Sequence, residues 1–228
     1  MHDRKRSWVW LASCMLMLAL LASPAWGTVI VGNGGFETAG VGGATNSDMW
    51  TEFTSAANNL SERSTANPEF GLYSHHLYAE GLDMLGTVAG VQQNSGNDVG
   101  LPSLQPGSTL TATFDAMTPF GPGGVMNYTL RILNGAGGIV DIFNGGTGAP
   151  SATYNTYSTP ALTVPAFGAA PNDYYVAFFE VNAAAGGFVG SISEVYIDNV
   201  VIEGTLVPEP ATISLLALGA FCLRRRSR

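Results

Sequence analysis

Between residues 28 and 207, apolar side chains return at every second position in short runs, and Gly, Pro and Asn clusters separate the runs. A period of two buries one face of a strand, and no stretch of this region repeats at the helical period. Residues 109–116 give the clearest case, with Leu110, Ala112, Phe114 and Ala116 on one side. Residues 126–133 set Met126, Tyr128, Leu130 and Ile132 against Thr129, Arg131 and Leu133. Residues 174–181 are apolar almost throughout, which predicts a central strand. Further strands are expected at 28–32, 72–79, 85–93, 139–143, 154–157, 161–164 and 193–203, with 154–157 and 161–164 as a pair. The Asp198-Asn199 pair breaks the last alternation, as a bulge does. About ten short strands without repeats predict an all-β fold, a single antiparallel β-sandwich.

Both ends differ from this middle. Residues 1–27 join a basic stretch (Arg4, Lys5, Arg6) to an apolar one and then to Ala25-Trp26-Gly27, the layout of a signal peptide cut by signal peptidase. Residues 208–228 read Pro208-Glu209-Pro210, then an uncharged run over 211–223, then Arg224, Arg225, Arg226 and Arg228. The prolines end the preceding strand, and the arginines hold a cytoplasmic side. A helix over 211–223 is about 20 Å long against a hydrocarbon core of roughly 30 Å, enough for transient membrane anchoring but marginal for a permanent anchor. Four residues, Gly204 to Val207, separate the expected last strand from Pro208. The trio of Pro-Glu-Pro, short transmembrane helix and arginine cluster resembles a PEP-CTERM sorting signal. The resemblance implies an exosortase, an intramembrane cysteine transpeptidase, as a partner, and an exported protein in an envelope rich in extracellular polysaccharide. The same signal family carries an ice-binding label.

The organisation is therefore 1–27 signal peptide, 28–207 sandwich domain and 208–228 sorting signal, with a helix expected at each end. The two cysteines, Cys14 and Cys222, fall in the ends, so the domain rests on its core without disulfides. Seven of the nine basic residues also lie in the ends. Arg63 and Arg131 remain against fifteen carboxylates, a formal charge of −13. Such a domain cannot neutralise phosphates, which excludes nucleic acid as a partner, and it repels anionic polymers.

Asn33-Gly34-Gly35-Phe36-Glu37 with Trp50, the Gln105-Pro106-Gly107 turn, and Tyr196-Ile197-Asp198-Asn199-Val200 resemble the galactose-binding-like jelly roll of carbohydrate-binding modules. That resemblance places the first and last strands side by side and implies a structural Ca2+ held by Glu37 and Asp198 with backbone carbonyls. Calcium wants six to eight oxygens, which carboxylates and turn carbonyls supply.

Other constellations are weaker. Asn94-Ser95-Gly96-Asn97-Asp98 lacks the final Glu of a calcium loop and reads as a plain turn. His75 and His76 point to opposite faces of one strand, which spoils them as a metal pair. No nucleophile elbow, zinc motif, phosphate loop or domain cysteine is present, so no catalytic residue is assigned. Trp50 reads as core. Tyr73, Tyr78, Tyr128, Tyr154, Tyr157, Tyr174 and Tyr175, with many asparagines, supply material for sugar binding without marking a platform. The expected role is a non-enzymatic envelope protein that associates with extracellular polysaccharide or binds carbohydrate weakly. A secreted carbohydrate-active enzyme and an adhesion or ice-surface module are the alternatives.

Overall fold

The computed structural model describes residues 28–81, 86–101, 103–119, 125–166, 174–186 and 188–206. The expected terminal helices and the sorting segment at Pro208–Arg228 lie outside these residues. Among the described residues there is no α-helix, and no helix long and apolar enough to cross a membrane.

Twelve strands among the described residues form two antiparallel sheets. They are β1 (Thr28–Val29), β2 (Thr51–Thr54), β3 (Leu60–Ser64), β4 (Ser74–Glu80), β5 (Thr87–Asn94), β6 (Thr109–Met117), β7 (Val125–Asn134), β8 (Ile139–Gly148), β9 (Asn155–Ser158), β10 (Leu162–Thr163), β11 (Tyr175–Ala185) and β12 (Ile192–Gly204). One sheet runs β10-β6-β12-β4-β3, with β1 added to β12 and β9 to β6; the other runs β2-β5-β11-β7-β8. Alternate side chains of both sheets meet in one core, where Phe114 of the first lies 5.6 Å from Phe179 of the second. The apolar 174–181 stretch is the central strand β11, flanked by β5 and β7.

The first and last strands pair, Thr28 with Gly204 and Val29 with Glu203. Asn33-Gly34-Gly35-Phe36 then crosses β12 at its bulge. Gly34 accepts from Val200 N at 2.9 Å, and a Cβ on Gly34 would overlap the Val200 carbonyl. Asn199 takes a φ of 54°, and the β12–β6 register shifts between Asp198 and Val201. The bulge expected at Asp198-Asn199 is present.

Four local expectations are corrected. Strands 154–157 and 161–164 do not pair with one another; β9 and β10 lie end to end along β6. The strand expected from residue 72 starts at Ser74, because Leu72 and Tyr73 donate their amides to the Glu37 side chain. Strand β8 continues past Phe143 to Gly148, held by β7. The chain is also held beyond Gly204: Gln105 N donates to Thr205 O at 2.6 Å and Leu104 bridges Leu206. One residue, Val207, therefore separates the pinned chain from Pro208.

Strands β2 and β3 were not expected, and their inward positions explain why. In β3 these are Ser61 and Arg63, opposite Leu77 and His75; in β2 the inward residue is Glu52, opposite Val91. Polar inward residues give no hydrophobic period. They are satisfied by backbone: Ser61 Oγ donates to Gly90 O at 2.7 Å, and Glu52 accepts from Ser47 N at 2.8 Å.

Candidate functional site

Among the described residues no strand packs on the outer face of the five-stranded sheet, and register lines its outward side chains into rows. One row reads Phe53, Gly90, Asn182, Asn127, Gly146. The next reads Thr51, Gln92, Glu180, Thr129, Asn144, and the third Asn94, Phe178, Arg131, Ile142. A Cβ on Gly90 would collide with the Phe53 ring, so this glycine lets the ring lie across the sheet beside Asn182.

A polar chain runs through the middle. Asn127 Nδ2 donates to Asn182 Oδ1 at 3.2 Å, and Asn182 Nδ2 donates to Glu180 Oε1 at 3.0 Å. Glu180 Oε2 then faces Arg131 Nη2 at 3.8 Å. The guanidinium lies 5.1 Å from the Phe178 ring centre. Arg131 Nε is shielded from solvent and has no hydrogen-bond partner among the described residues. A buried unpaired donor is costly; the side chain as a whole keeps 28% exposure, so an external acceptor meets its other N–H groups. Amides, one carboxylate and one guanidinium between two phenylalanine faces can donate to and accept from hydroxyls while apolar ring faces stack.

Glu37 and Asp198 are brought together on one loop. Glu37 Oε1 accepts from Leu72 N at 2.9 Å and Tyr73 N at 3.1 Å. Asp198, fully buried, accepts from Glu69 N at 3.0 Å and Phe70 N at 3.1 Å on Oδ2, and from Asn199 N at 2.7 Å on Oδ1. Burial nevertheless pushes the Asp198 carboxyl above its usual range, against the lowering effect of those amides. The neighbouring carbonyls are engaged as well, because Arg63 Nε donates to Phe36 O and Arg63 Nη2 to Glu37 O, each at 2.6 Å. Amides and a guanidinium therefore engage most of this oxygen set. Among the described residues no group of three or more His, Cys, Asp or Glu could hold a metal ion.

The histidines diverge as expected. His75 is fully buried, with Ser47 Oγ 2.9 Å from Nδ1 and Ser61 Oγ 3.0 Å from Nε2. Ser61 gives its proton to Gly90 O, so Nε2 donates to Ser61 and Nδ1 accepts from Ser47. Burial, with the neighbouring His76, holds this imidazole neutral at a pKa near about 3. His76 lies on the outer face of the larger sheet, stacked on Tyr196 at 4.5 Å and 2.9 Å from Glu194. On the same face Asp115 pairs with Asp198 across β6 and β12, and Glu69 hangs over them. Burial first, then the charge and hydrogen bond of Asp115 and the charge of Asp198, pushes the Glu69 carboxyl up to about 7.

Most of the tyrosines lie away from the three outer-face rows. Tyr128 and Tyr157 pack around Phe114, Tyr175 is buried, Tyr73 covers Arg63, and Trp50 is core. The site's aromatic faces are Phe53 and Phe178, which sequence reasoning passed over. The usable signal was the second phase of each strand: Thr129 and Arg131 opposite the core set, and Phe178 with Glu180 in the apolar β11. The 94–98 segment is a turn, with Asn94 N donating to Asp98 Oδ2 at 2.6 Å.

The PEP-CTERM protein-sorting motif matches residues 206–228. No curated protein matches the chain. Among solved structures, the CBM22-1 xylan-binding domain of Xyn10C from Paenibacillus barcinonensis is similar with a TM-score of 0.51 and 9% identity, covering 82% of this chain and 100% of that one. An arabinose-bound GH51 α-L-arabinofuranosidase is similar at a TM-score of 0.52 and 10% identity, over 79% of this chain and 27% of the enzyme. The enzymatically active domain of bacteriophage CBA120 tailspike protein 4 gives a TM-score of 0.48 and 21% identity, over 78% of this chain and 21% of its own. The chain thus spans about a quarter or less of these two enzymes. It carries a PEP-CTERM sorting motif, which indicates export, behind a jelly-roll β-sandwich with the fold of carbohydrate-binding modules.

Proposed function

We propose that this domain is delivered to the envelope by its sorting motif, processed by an exosortase, and holds neutral polysaccharide on the outer face of its five-stranded sheet without cleaving it. The carrying observation is the hydrogen-bonded row Asn127, Asn182 and Glu180, which ends at Arg131 beside Phe178 on a face that no described strand covers. Sugar hydroxyls can pair with these amides, the carboxylate and the solvent-accessible N–H groups of the guanidinium. The formal charge of −13 repels anionic polymers and leaves neutral ones as the substrate class. Glycoside hydrolysis uses two carboxylates, and the three rows contain one, Glu180.

Affinity electrophoresis of the domain against xylan, glucomannan, β-glucan and polygalacturonate tests this reading. Retardation by a neutral polymer, reduced tenfold or more by Arg131→Ala or Phe178→Ala, supports it. Retardation by none, or release of reducing sugar, overturns it, the latter in favour of a carbohydrate-active enzyme. For sorting, mass spectrometry of the surface form should find a protein without Arg224–Arg228; recovery of those arginines removes the exosortase step.

A further inference from the structure

The outer face is open over most of its length but closed at one end. Two residues before Phe178 along β11, Val176 pairs with Leu133, and these two buried side chains form the floor of a cleft of about 180 Å³. Tyr174 walls one side. It is 48% exposed, and its ring lies against Gly135, where a Cβ would strike it. The opposite wall is the 94–97 turn. The cleft is smaller than the roughly 300–1,000 Å³ of drug-sized pockets, so it suits one ring-sized unit.

Its polar groups are arranged by turn chemistry. Asn94 Oδ1 accepts from Gly96 N and Asn97 N, and Asn134 Oδ1 accepts from Ala136 N and Gly138 N. Both carboxamide oxygens are therefore committed, which leaves the Nδ2 groups of these two cleft-lining residues as donors without a partner among the described residues. Two fixed amide donors beside a tyrosine face form a receptor for the hydroxyls of a single sugar.

We propose that this cleft is a terminal subsite: it takes the end unit of a neutral glycan whose following units lie over Phe178, Arg131 and Glu180. The domain then holds polysaccharide by chain ends rather than along the chain. This rests on the outer-face reading above, and the experiment separates the two.

Calorimetry on the whole domain would use xylohexaose, cellohexaose and mannohexaose beside xylan, β-glucan and glucomannan. Terminal capture predicts that a hexasaccharide binds with the same molar affinity per chain as its polymer, at one domain per chain. Tyr174→Ala should weaken hexasaccharide binding about tenfold. Asn94→Asp and Asn134→Asp keep the turn-capping oxygen but remove the donor, and each should weaken it by a similar factor with an unchanged melting temperature. Several domains per polymer chain, or full affinity in the Tyr174→Ala and both Asp variants, overturns the terminal subsite while leaving the outer-face site standing. Absence of binding to every hexasaccharide and polymer overturns both.

Discussion

The Arg63 guanidinium carbon lies 3.2 Å from the centre of the Tyr73 ring, and its nitrogens donate to three backbone carbonyls, those of Phe36, Glu37 and Ala44. A side chain with only 7% of its surface exposed thus supplies the cation that gathers the first loop onto β3. On the other side two carboxylates, Glu37 and Asp198, take the amides of Glu69, Phe70, Leu72 and Tyr73.

Replacing Arg63 should therefore be among the most damaging single changes in the domain. Arg63→Ala leaves three carbonyls short of a charged donor and a void under Tyr73, at a cost of about 3–5 kcal/mol. Arg63→Lys keeps the charge but not the planar fork, and should recover less than half of that. Urea unfolding with an unchanged m-value checks both.

Calcium at Glu37 and Asp198 is a proposal that melting experiments decide. If the carboxylates act on the amides directly, Asp198→Asn lowers the melting temperature equally with and without calcium. If an ion displaces those amides, millimolar calcium raises the wild-type melting temperature and Glu37→Gln and Asp198→Asn abolish the rise. At a hundredfold excess over Kd the gain would be about 2.7 kcal/mol.

Glu69 should impose a pH dependence of the opposite sense to an ordinary salt-bridged carboxylate. Its carboxyl titrates near about 7 in the folded chain against an ordinary 4.5. Between those values the native state holds a proton that the unfolded chain has released, so stability falls as pH rises from about 4.5 through 7. Glu69→Gln should flatten the melting temperature over that interval and raise it at pH 8. A wild-type profile rising from pH 5 to 8 with no change in the variant would remove the Glu69–Asp115 contact as its cause.

Gly90→Ala tests the outer face through Phe53 and Asn182, the two side chains that its Cβ would strike. Its Cβ must displace the Phe53 ring, so glycan affinity should drop several-fold. A Phe53→Ala, Gly90→Ala pair should cost less in affinity than the sum of the two single changes, because both act on the Phe53 ring, and the remainder acts through Asn182.

Because Gln105 and Leu104 hold the chain through Leu206, the sorting segment starts within one residue of the folded body. A Gly/Ser linker placed after Leu206 should speed processing in cells, whereas the same linker placed elsewhere on the surface should not. Unchanged kinetics would show that access to Pro208–Pro210 is not limiting.

Sequence alone determined the all-β class, the central place of β11, the bulge at Asp198-Asn199, the core role of Trp50 and the divergence of His75 from His76. Each follows from side-chain alternation, a local property carried by neighbouring residues. The sorting motif was legible for the same reason, as three adjacent segments of distinct composition. Only the tertiary structure decided the rest. Strands β2 and β3 turn Glu52, Ser61 and Arg63 inward, and nothing in their own residues announces the loop backbone that satisfies them. The candidate sugar face joins Phe53, Asn127, Arg131 and Glu180 from three strands, and their alignment depends on register across the sheet. Register is settled by long-range hydrogen bonding and core packing, so residues far apart in the chain become one site only when the sheet has formed.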